Sequence, residues 1–478
     1  MDVSFILIIL LIGAFATYFS GDKLASKVAL FFGLASLGFS IYLLSLFNAG
    51  QDINFVASWI TKPNIAFALK ADGLSLAMLL LNTALTPLII LSGFGNDFKN
   101  AKNLYALILF MSFAMAGTFL ASDGLLYYIF WELALVPIYF IALIWGNGDA
   151  EERKKAVVKF FIYTLAGSLF MLTAFIYLYQ KAGSFMLEDF YNLNLSSQEQ
   201  LWIFLGFFLA YAIKIPLIPF HTWQAKVYQK APTVGTMLLS GIMLKMGLYS
   251  VIRWQIPITP MAAKQYMPIF IGLGIAGVIY GSIVALRQRD LKKLLAYSSL
   301  AHVGLIAAGA YALNLDGLRG AVLQMIAHGF VVVGLFFAAE IIFRRYETRE
   351  IGEMGGIRSQ SPKFTSMFMI LVLASVALPS TFNFVGEFTV LYSLSQIGIV
   401  WAILGGSTII LGAYYMLKMF QQVMLGETNT KIFRDVTFTE GLVFVSIIGF
   451  LLFFGIYPKP ITDLVTPSLQ EILIQINR

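Results

Sequence analysis

The chain has 478 residues, 59% of them hydrophobic and 12% charged; soluble domains carry roughly 25% charge, so this composition belongs in a bilayer. Its formal charge of +7 does not mark a nucleic-acid partner, because the basic residues fall in short segments between apolar stretches and form no single patch. With no cysteine, the chain itself excludes disulfides, thiolate-held iron-sulfur clusters, Cys-ligated zinc and attached c-type haem, and any electron transfer takes place in a partner.

A hydrocarbon core of roughly 30 Å needs about 20 apolar residues per helix. Such stretches fall near 3–19, 27–48, 73–95, 101–121, 123–145, 156–180 and 200–219, then near 235–254, 266–286, 293–313, 317–343, 363–396, 400–422 and 438–457. They predict an all-α integral membrane protein of about 14 transmembrane helices. The first stretch contains Ala14-Phe15-Ala16, which mimics a cleavage site, but no basic residues precede it, so it reads as a retained helix. Basic residues concentrate in alternate loops: Arg153, Lys154 and Lys155; Arg287, Arg289, Lys292 and Lys293; Arg344, Arg345 and Arg349. The positive-inside rule places these loops in the cytoplasm and both termini on the outer side. No Ser, Gly or Pro run is long enough for a linker, which predicts a single membrane domain over 1–478.

Two spans are punctuated. The seventh carries Ile215-Pro216 and Pro219 after Lys214, and the twelfth carries Leu378-Pro379 before Glu387. Proline removes a backbone donor and frees carbonyls, which a membrane helix tolerates only where other groups satisfy them. The breaks lie five spans apart and enter from opposite sides, the pattern of two inverted five-helix repeats over spans four to eight and nine to thirteen, 101–254 and 266–422. Two unrelated proline kinks are the plainer alternative.

Ionisable residues inside the spans carry the chemistry. Glu132 follows Asp123 by nine residues, about 13 Å along a helix. Lys214 lies at comparable depth, and Lys245 sits ten residues into the eighth span. A charge so deep costs about 2.5 to 3.5 kcal/mol even on the lenient insertion scale. One structural Glu-Lys pair would explain two of these groups but not their continuation along the chain. His302 and His328 lie within the tenth and eleventh spans, and His221 follows the seventh span's break; these are all the histidines. Histidine titrates near neutral pH, so a Lys-His-Lys row ending at Glu387 can pass protons in small free-energy steps. Taken singly, any of these histidines is equally readable as a hydrogen-bonded core residue. Lys418, late in the thirteenth span, is read as structural, snorkelling to the inner surface.

Other patterns carry no site. Gly272-Leu273-Gly274-Ile275-Ala276-Gly277 matches the dinucleotide fingerprint in letters, but it lies within an apolar helix with no preceding strand, and reads as helix packing. Three scattered histidines without cysteine suggest no metal site.

Trp131-Glu132-Leu133, Lys214-Ile215-Pro216-Leu217, Pro219-Phe220-His221-Thr222-Trp223, Ala231-Pro232-Thr233-Val234, Leu244-Lys245-Met246-Gly247, Leu295-Ala296-Tyr297-Ser298-Ser299 and Gly386-Glu387-Phe388 together resemble the antiporter-like subunits of respiratory complex I. The likeness runs the length of the chain. Glu387, where sister pump subunits carry lysine, and the short tail after the last span point to the subunit M (chain 4) branch. The resemblance implies a non-redox translocase subunit that couples NADH-to-quinone electron transfer in its partners to proton pumping. It implies Glu132 and Lys214 as a coupling ion pair, Lys245 as central relay, His302 and His328 as bridging groups with His221 auxiliary, and Glu387 as terminal exchange site. It further implies no cofactor in this chain, FMN, iron-sulfur clusters and quinone in partner subunits, and sister membrane-arm subunits and a redox arm as partners. The absence of an organellar presequence favours a bacterial plasma (inner) membrane, although organelle-encoded versions also lack one. A multi-subunit monovalent cation/proton antiporter, or a membrane-bound hydrogenase or formate complex, would use the same relay.

Overall fold

The structure, a computed structural model, describes residues 2–61, 64–427 and 431–477. Among these, eleven helices are long and apolar enough to cross a membrane. The expected count of fourteen adds three segments that fall short individually. These are Phe5–Phe19, of 15 residues, and the two punctuated spans, which the structure divides into Ser197–Lys214 with Gln224–Lys230, and Pro362–Ser375 with Phe382–Ile397. Both divisions fall where proline denies the helix a donor. Ile215, Pro216 and the turn Phe220–Trp223 separate the first pair, and residues 376–381, with Ala377 and Ser380 at positive φ, separate the second. The predicted dinucleotide-like glycines lie inside the helix Pro260–Leu286, where a Cβ on Gly274 would stand 2.6 Å from the Gly304 carbonyl oxygen. Gly274 thus permits the close helix packing that the sequence suggested.

The chain forms two compact units. One runs to Ile215 and takes in Ile242–Met267 and the chain from Asp463 onward; the other comprises Pro216–Gly241 and Pro268–Thr462. In the first unit, Ala150–Ala182 packs along Ser197–Lys214, and Phe5–Phe19 against Ala101–Leu120. Aromatic rings fill its centre: Tyr127, Trp254 and Phe175 meet with centroids 4.7 to 5.9 Å apart. In the second unit, Leu315–Tyr346 is the central helix, packed on both Leu291–Ala310 and Phe382–Ile397.

Two features at the edge of the first unit have no counterpart in the span-based reading. Asn54–Ile60 and Ile65–Lys70 pair as an antiparallel hairpin, built from the aromatic and branched residues that suit a pleated ladder. Ala66 N–H donates to Asp123 Oδ2 at 3.2 Å, and Ser122 N–H to the Ala68 carbonyl at 2.9 Å, which ties the hairpin to the start of Gly124–Leu133. The tail forms the helix Lys459–Ile476, whose apolar residues Leu464, Val465, Leu469 and Ile472 are buried. The hairpin qualifies the all-α expectation, although the chain is overwhelmingly helical.

Candidate functional site

Each unit holds its own set of the predicted residues. In the first, Glu132 occupies the last turn of Gly124–Leu133, where the helix is interrupted at Ala134 before resuming at Leu135–Ile144. Its side chain is half-buried. Lys214 is the final residue of its helix and only 2% exposed. Its Nζ stands 4.7 Å from the centroid of the Trp131 ring, a cation-π contact that is stronger for being desolvated. The Glu132 carboxylate is within electrostatic range of Lys214, yet among the described residues the two make no ion pair within 4.0 Å. The expected pair is therefore a longer-range one here.

Lys245 is fully buried on Leu244–Ser250, between two π-helical stretches, Leu239–Met243 and Val251–Gln255. Such turns widen the helix, leave its ladder less regular and recur at functional sites. Gly247, in the predicted Leu244-Lys245-Met246-Gly247 motif, has a structural reason. A Cβ there would lie 2.6 Å from Ile215 Cγ1, so only glycine lets the Lys245 helix pack against the residue that ends the Lys214 helix.

The second unit brings together four groups from three helices. His302 Nδ1 lies 2.7 Å from Glu387 Oε1, and Gln324 Nε2 donates to the same oxygen at 3.0 Å. The His328 ring centre is 5.9 Å from that of His302. All four side chains are buried, with Glu387 1% exposed. Glu387 Oε2 has no hydrogen-bond partner among the described residues. Gly386 admits the arrangement: a Cβ there would meet Gln324 Oε1 at 2.5 Å and the Gln324 backbone at 2.8 Å. His221 stands apart from this group, in the turn Phe220–Trp223, with its ring 4.8 Å from Tyr280. The structure thus joins His302 to Glu387 directly, sets the His328 ring beside that of His302, and leaves His221 against an aromatic ring. Lys418 is exposed, consistent with a snorkelling side chain.

Sequence reasoning missed a second buried polar group in this unit. Lys292, counted among loop cations, is 2% exposed and donates to the Ala231 carbonyl at 2.7 Å. Asp290 caps this helix by accepting from Lys293 N–H, so the helix already begins at Leu291; an Asp just before an apolar run was the available signal. Thr233 donates to Glu340, Gln229 Nε2 donates to Asp290 at 2.9 Å, and Arg349 reaches the Gln229 carbonyl at 3.2 Å. Burial lowers the Arg349 guanidinium from its ordinary value, opposed by Glu340 and Asp290. Gln324 was also missed; it lies four residues before His328 and so on the same helix face.

At the edge of the first unit, Asp72 caps Gly73–Ser92 through Ser75 N–H at 2.9 Å and forms an ion pair with Arg253. Burial alone would raise the Asp72 carboxyl, but the Arg253 charge and its hydrogen bonds outweigh burial and hold it below the usual carboxylate range. Among the described residues no group of three His, Cys, Asp or Glu could hold a metal ion.

Residues 121–412 match the family described as "NADH:quinone oxidoreductase/Mrp antiporter, TM". The chain is 37% identical over 464 residues to NADH-quinone oxidoreductase subunit M of Rickettsia prowazekii (strain Madrid E), covering 95% of this chain and 94% of that protein. It is 34% identical to NADH-ubiquinone oxidoreductase chain 4 of Arabidopsis thaliana, covering 94% and 92%. Among solved structures it is similar to a chain of respiratory complex I from Thermus thermophilus with bound NADH, with a TM-score of 0.92, 27% identity and 99% of both chains covered. It also shares its fold with a chain of the Mrp complex from Dietzia sp. DQ12-45-1b, with a TM-score of 0.87, 18% identity and 98% and 97% covered. The chain therefore belongs to the NADH:quinone oxidoreductase/Mrp antiporter transmembrane family, as an antiporter-like membrane subunit similar to subunit M (chain 4) of complex I.

Proposed function

We propose that this chain is a proton-translocating membrane-arm subunit of an NADH-quinone oxidoreductase, itself free of redox groups, in a bacterial plasma membrane with both termini outside. The observation that carries this reading is that the buried ionisable residues sit at or beside interruptions of their helices: Lys214 at a helix end, Lys245 between π-helical stretches, and Glu387 on the helix that follows the second break. Irregular backbone at membrane depth is tolerated where it lines a cavity or polar path, and a charge there is expensive unless it is used. In this proposal the chain is one membrane domain of fourteen spans with inverted repeats over 101–254 and 266–422. Sister membrane-arm subunits and a redox arm carrying FMN, iron-sulfur clusters and quinone are its partners.

Quinone chemistry in the partners changes the separation of Glu132 and Lys214. At an effective dielectric of about 20, drawing opposite charges from about 4 Å to about 8 Å costs about 2 kcal/mol. Moving one proton against 100 mV costs about 2.3 kcal/mol. The two match, so a modest displacement suffices to drive a proton from Lys214 to Lys245. His302 and His328 bridge toward Glu387, where the proton is exchanged, and His221 is auxiliary. Glu387 suits that role because His302 and Gln324 both engage Oε1 while Oε2 accepts no hydrogen bond among the described residues.

A native gel of mild-detergent extract, stained for NADH oxidation, tests the assignment. Co-migration with a large NADH-oxidising assembly supports it. Co-migration with small hydrophobic subunits and no redox activity overturns it in favour of a cation/proton antiporter, which the family description also embraces.

A further inference from the structure

The second unit carries a cavity of about 360 Å³ whose lining includes neither His302 nor His328. One wall is the loop after Pro260–Leu286, with Arg287 and Arg289; another is the end of Ile399–Phe420, with Lys418; Glu350 closes the third. Backbone bonds fix its rim, from Ile351 N–H to the Arg289 carbonyl at 2.8 Å and from Leu291 N–H to the Arg349 carbonyl at 2.9 Å. Tyr415 lies against its base, hydrogen-bonded to Ser298 Oγ at 3.0 Å. Three cations thus face one carboxylate. Arg287, Arg289 and Lys418 are exposed and have no acidic partner within 4.0 Å among the described residues; Lys418 Nζ lies 5.7 Å from the Tyr414 ring centre.

The surplus charge has a specific setting. Pro260–Leu286, long and apolar enough to span a membrane, ends at this cavity, and Ile399–Leu425 passes it in its last two turns, which puts it toward the headgroup end of both helices. One turn deeper on the same helices, the large apolar residues Ile283 and Tyr414 are exposed, at 48% and 59%. Oxyanion chemistry sits above and hydrocarbon below. An acidic peptide would use the cations but not the apolar surface beneath them; a phospholipid uses both.

We propose that this cavity binds the phosphate of an anionic phospholipid, with Arg287 and Arg289 as forked donors to its oxygens and Lys418 as a compact counter-charge. The acyl chains lie along Ile283 and Tyr414, and Glu350 disfavours a second anion. Each basic residue near such a surface contributes about fivefold in affinity.

The test uses the full chain, purified in mild detergent, delipidated and followed by native mass spectrometry. The probes are dioleoylphosphatidylglycerol, dioleoylphosphatidylcholine and inorganic phosphate. The expected result is preferential retention of phosphatidylglycerol, weakened about fivefold in each of Arg287→Ala, Arg289→Ala and Lys418→Ala, with the preference lost in the triple variant. Lys264→Ala, an exposed lysine elsewhere, should leave it unchanged, and thermal unfolding checks that the variants fold. Equal retention of the two lipids, or a preference that survives the triple variant, overturns the proposal. So does displacement of phosphatidylglycerol by inorganic phosphate at equal concentration, which would mark a free-anion site.

Discussion

His302 Nδ1 and Glu387 Oε1 meet at 2.7 Å, joining the helix Leu291–Ala310 to Phe382–Ile397 inside one unit. That contact holds the imidazole in place, so Glu387 both orients His302 and belongs to the proposed relay. Removing the carboxylate should therefore do more than remove one acid. Glu387→Gln is expected to lower proton transport about 100-fold or more, the scale of losing one general acid-base group, while Glu387→Asp retains part of it. Pumping by the assembled complex in proteoliposomes measures both, and unchanged transport in Glu387→Gln would remove Glu387 from the path.

Gly386 tests the packing that brings Glu387 against Gln324. Gly386→Ala places a methyl group 2.5 Å from Gln324 Oε1 and 2.8 Å from its backbone, an overpacking expected to cost about 1 to 3 kcal/mol. Gly406→Ala, with no heavy atom within 4 Å of the added carbon, should be neutral or slightly stabilising. Thermal unfolding in detergent compares them, and equal melting temperatures would contradict the packing argument.

Asp72 gives a pH dependence. Its carboxyl is held below the usual range by Arg253, against burial. A depressed carboxyl contributes stability that is complete above its unfolded pKa of about 3.9 and is lost as pH falls through the lower folded value. Asp72→Asn should thus destabilise the protein by about 2 to 4 kcal/mol at pH 7, through the broken ion pair and weakened cap. The deficit should shrink below about pH 4. Melting temperatures of both proteins from pH 7 to pH 3 read this directly, and a deficit that grows on acidification would reverse the sign.

Lys292 and Glu340 form part of one buried network in which Lys292 donates to the Ala231 carbonyl at 2.7 Å. Lys292→Met keeps the volume but leaves that carbonyl without its donor and removes one of the positive charges acting on Glu340, which keeps Thr233 and Arg349. A loss of about 1 to 3 kcal/mol is expected, partly recovered in the double variant with Glu340→Gln. Additive effects in this cycle would show that the two do not interact.

The sequence made the membrane class and the two interrupted helices legible, because apolar length and proline act locally. Glu132, Lys214, Lys245, His302, His328 and Glu387 stood out for a related reason: an ionisable residue within an apolar run is conspicuous without any tertiary information. What brings such residues together was not legible. Gln324 is unremarkable until the missing Cβ of Gly386 lets its helix approach, and Lys292 looked like a loop cation because its burial depends on the distant Ala231 carbonyl. The hairpin Asn54–Ile60 with Ile65–Lys70 escaped because a search for long apolar runs passes over short alternating ones.

In the proposed mechanism Lys214 passes a proton under the influence of Glu132. Proton uptake driven by NADH oxidation, measured in proteoliposomes holding the assembled complex with Lys214→Ala or Glu132→Ala, tests it most directly. Pumping should be abolished in both variants while the chain remains folded and inserted. Proton transport preserved in both would contradict it.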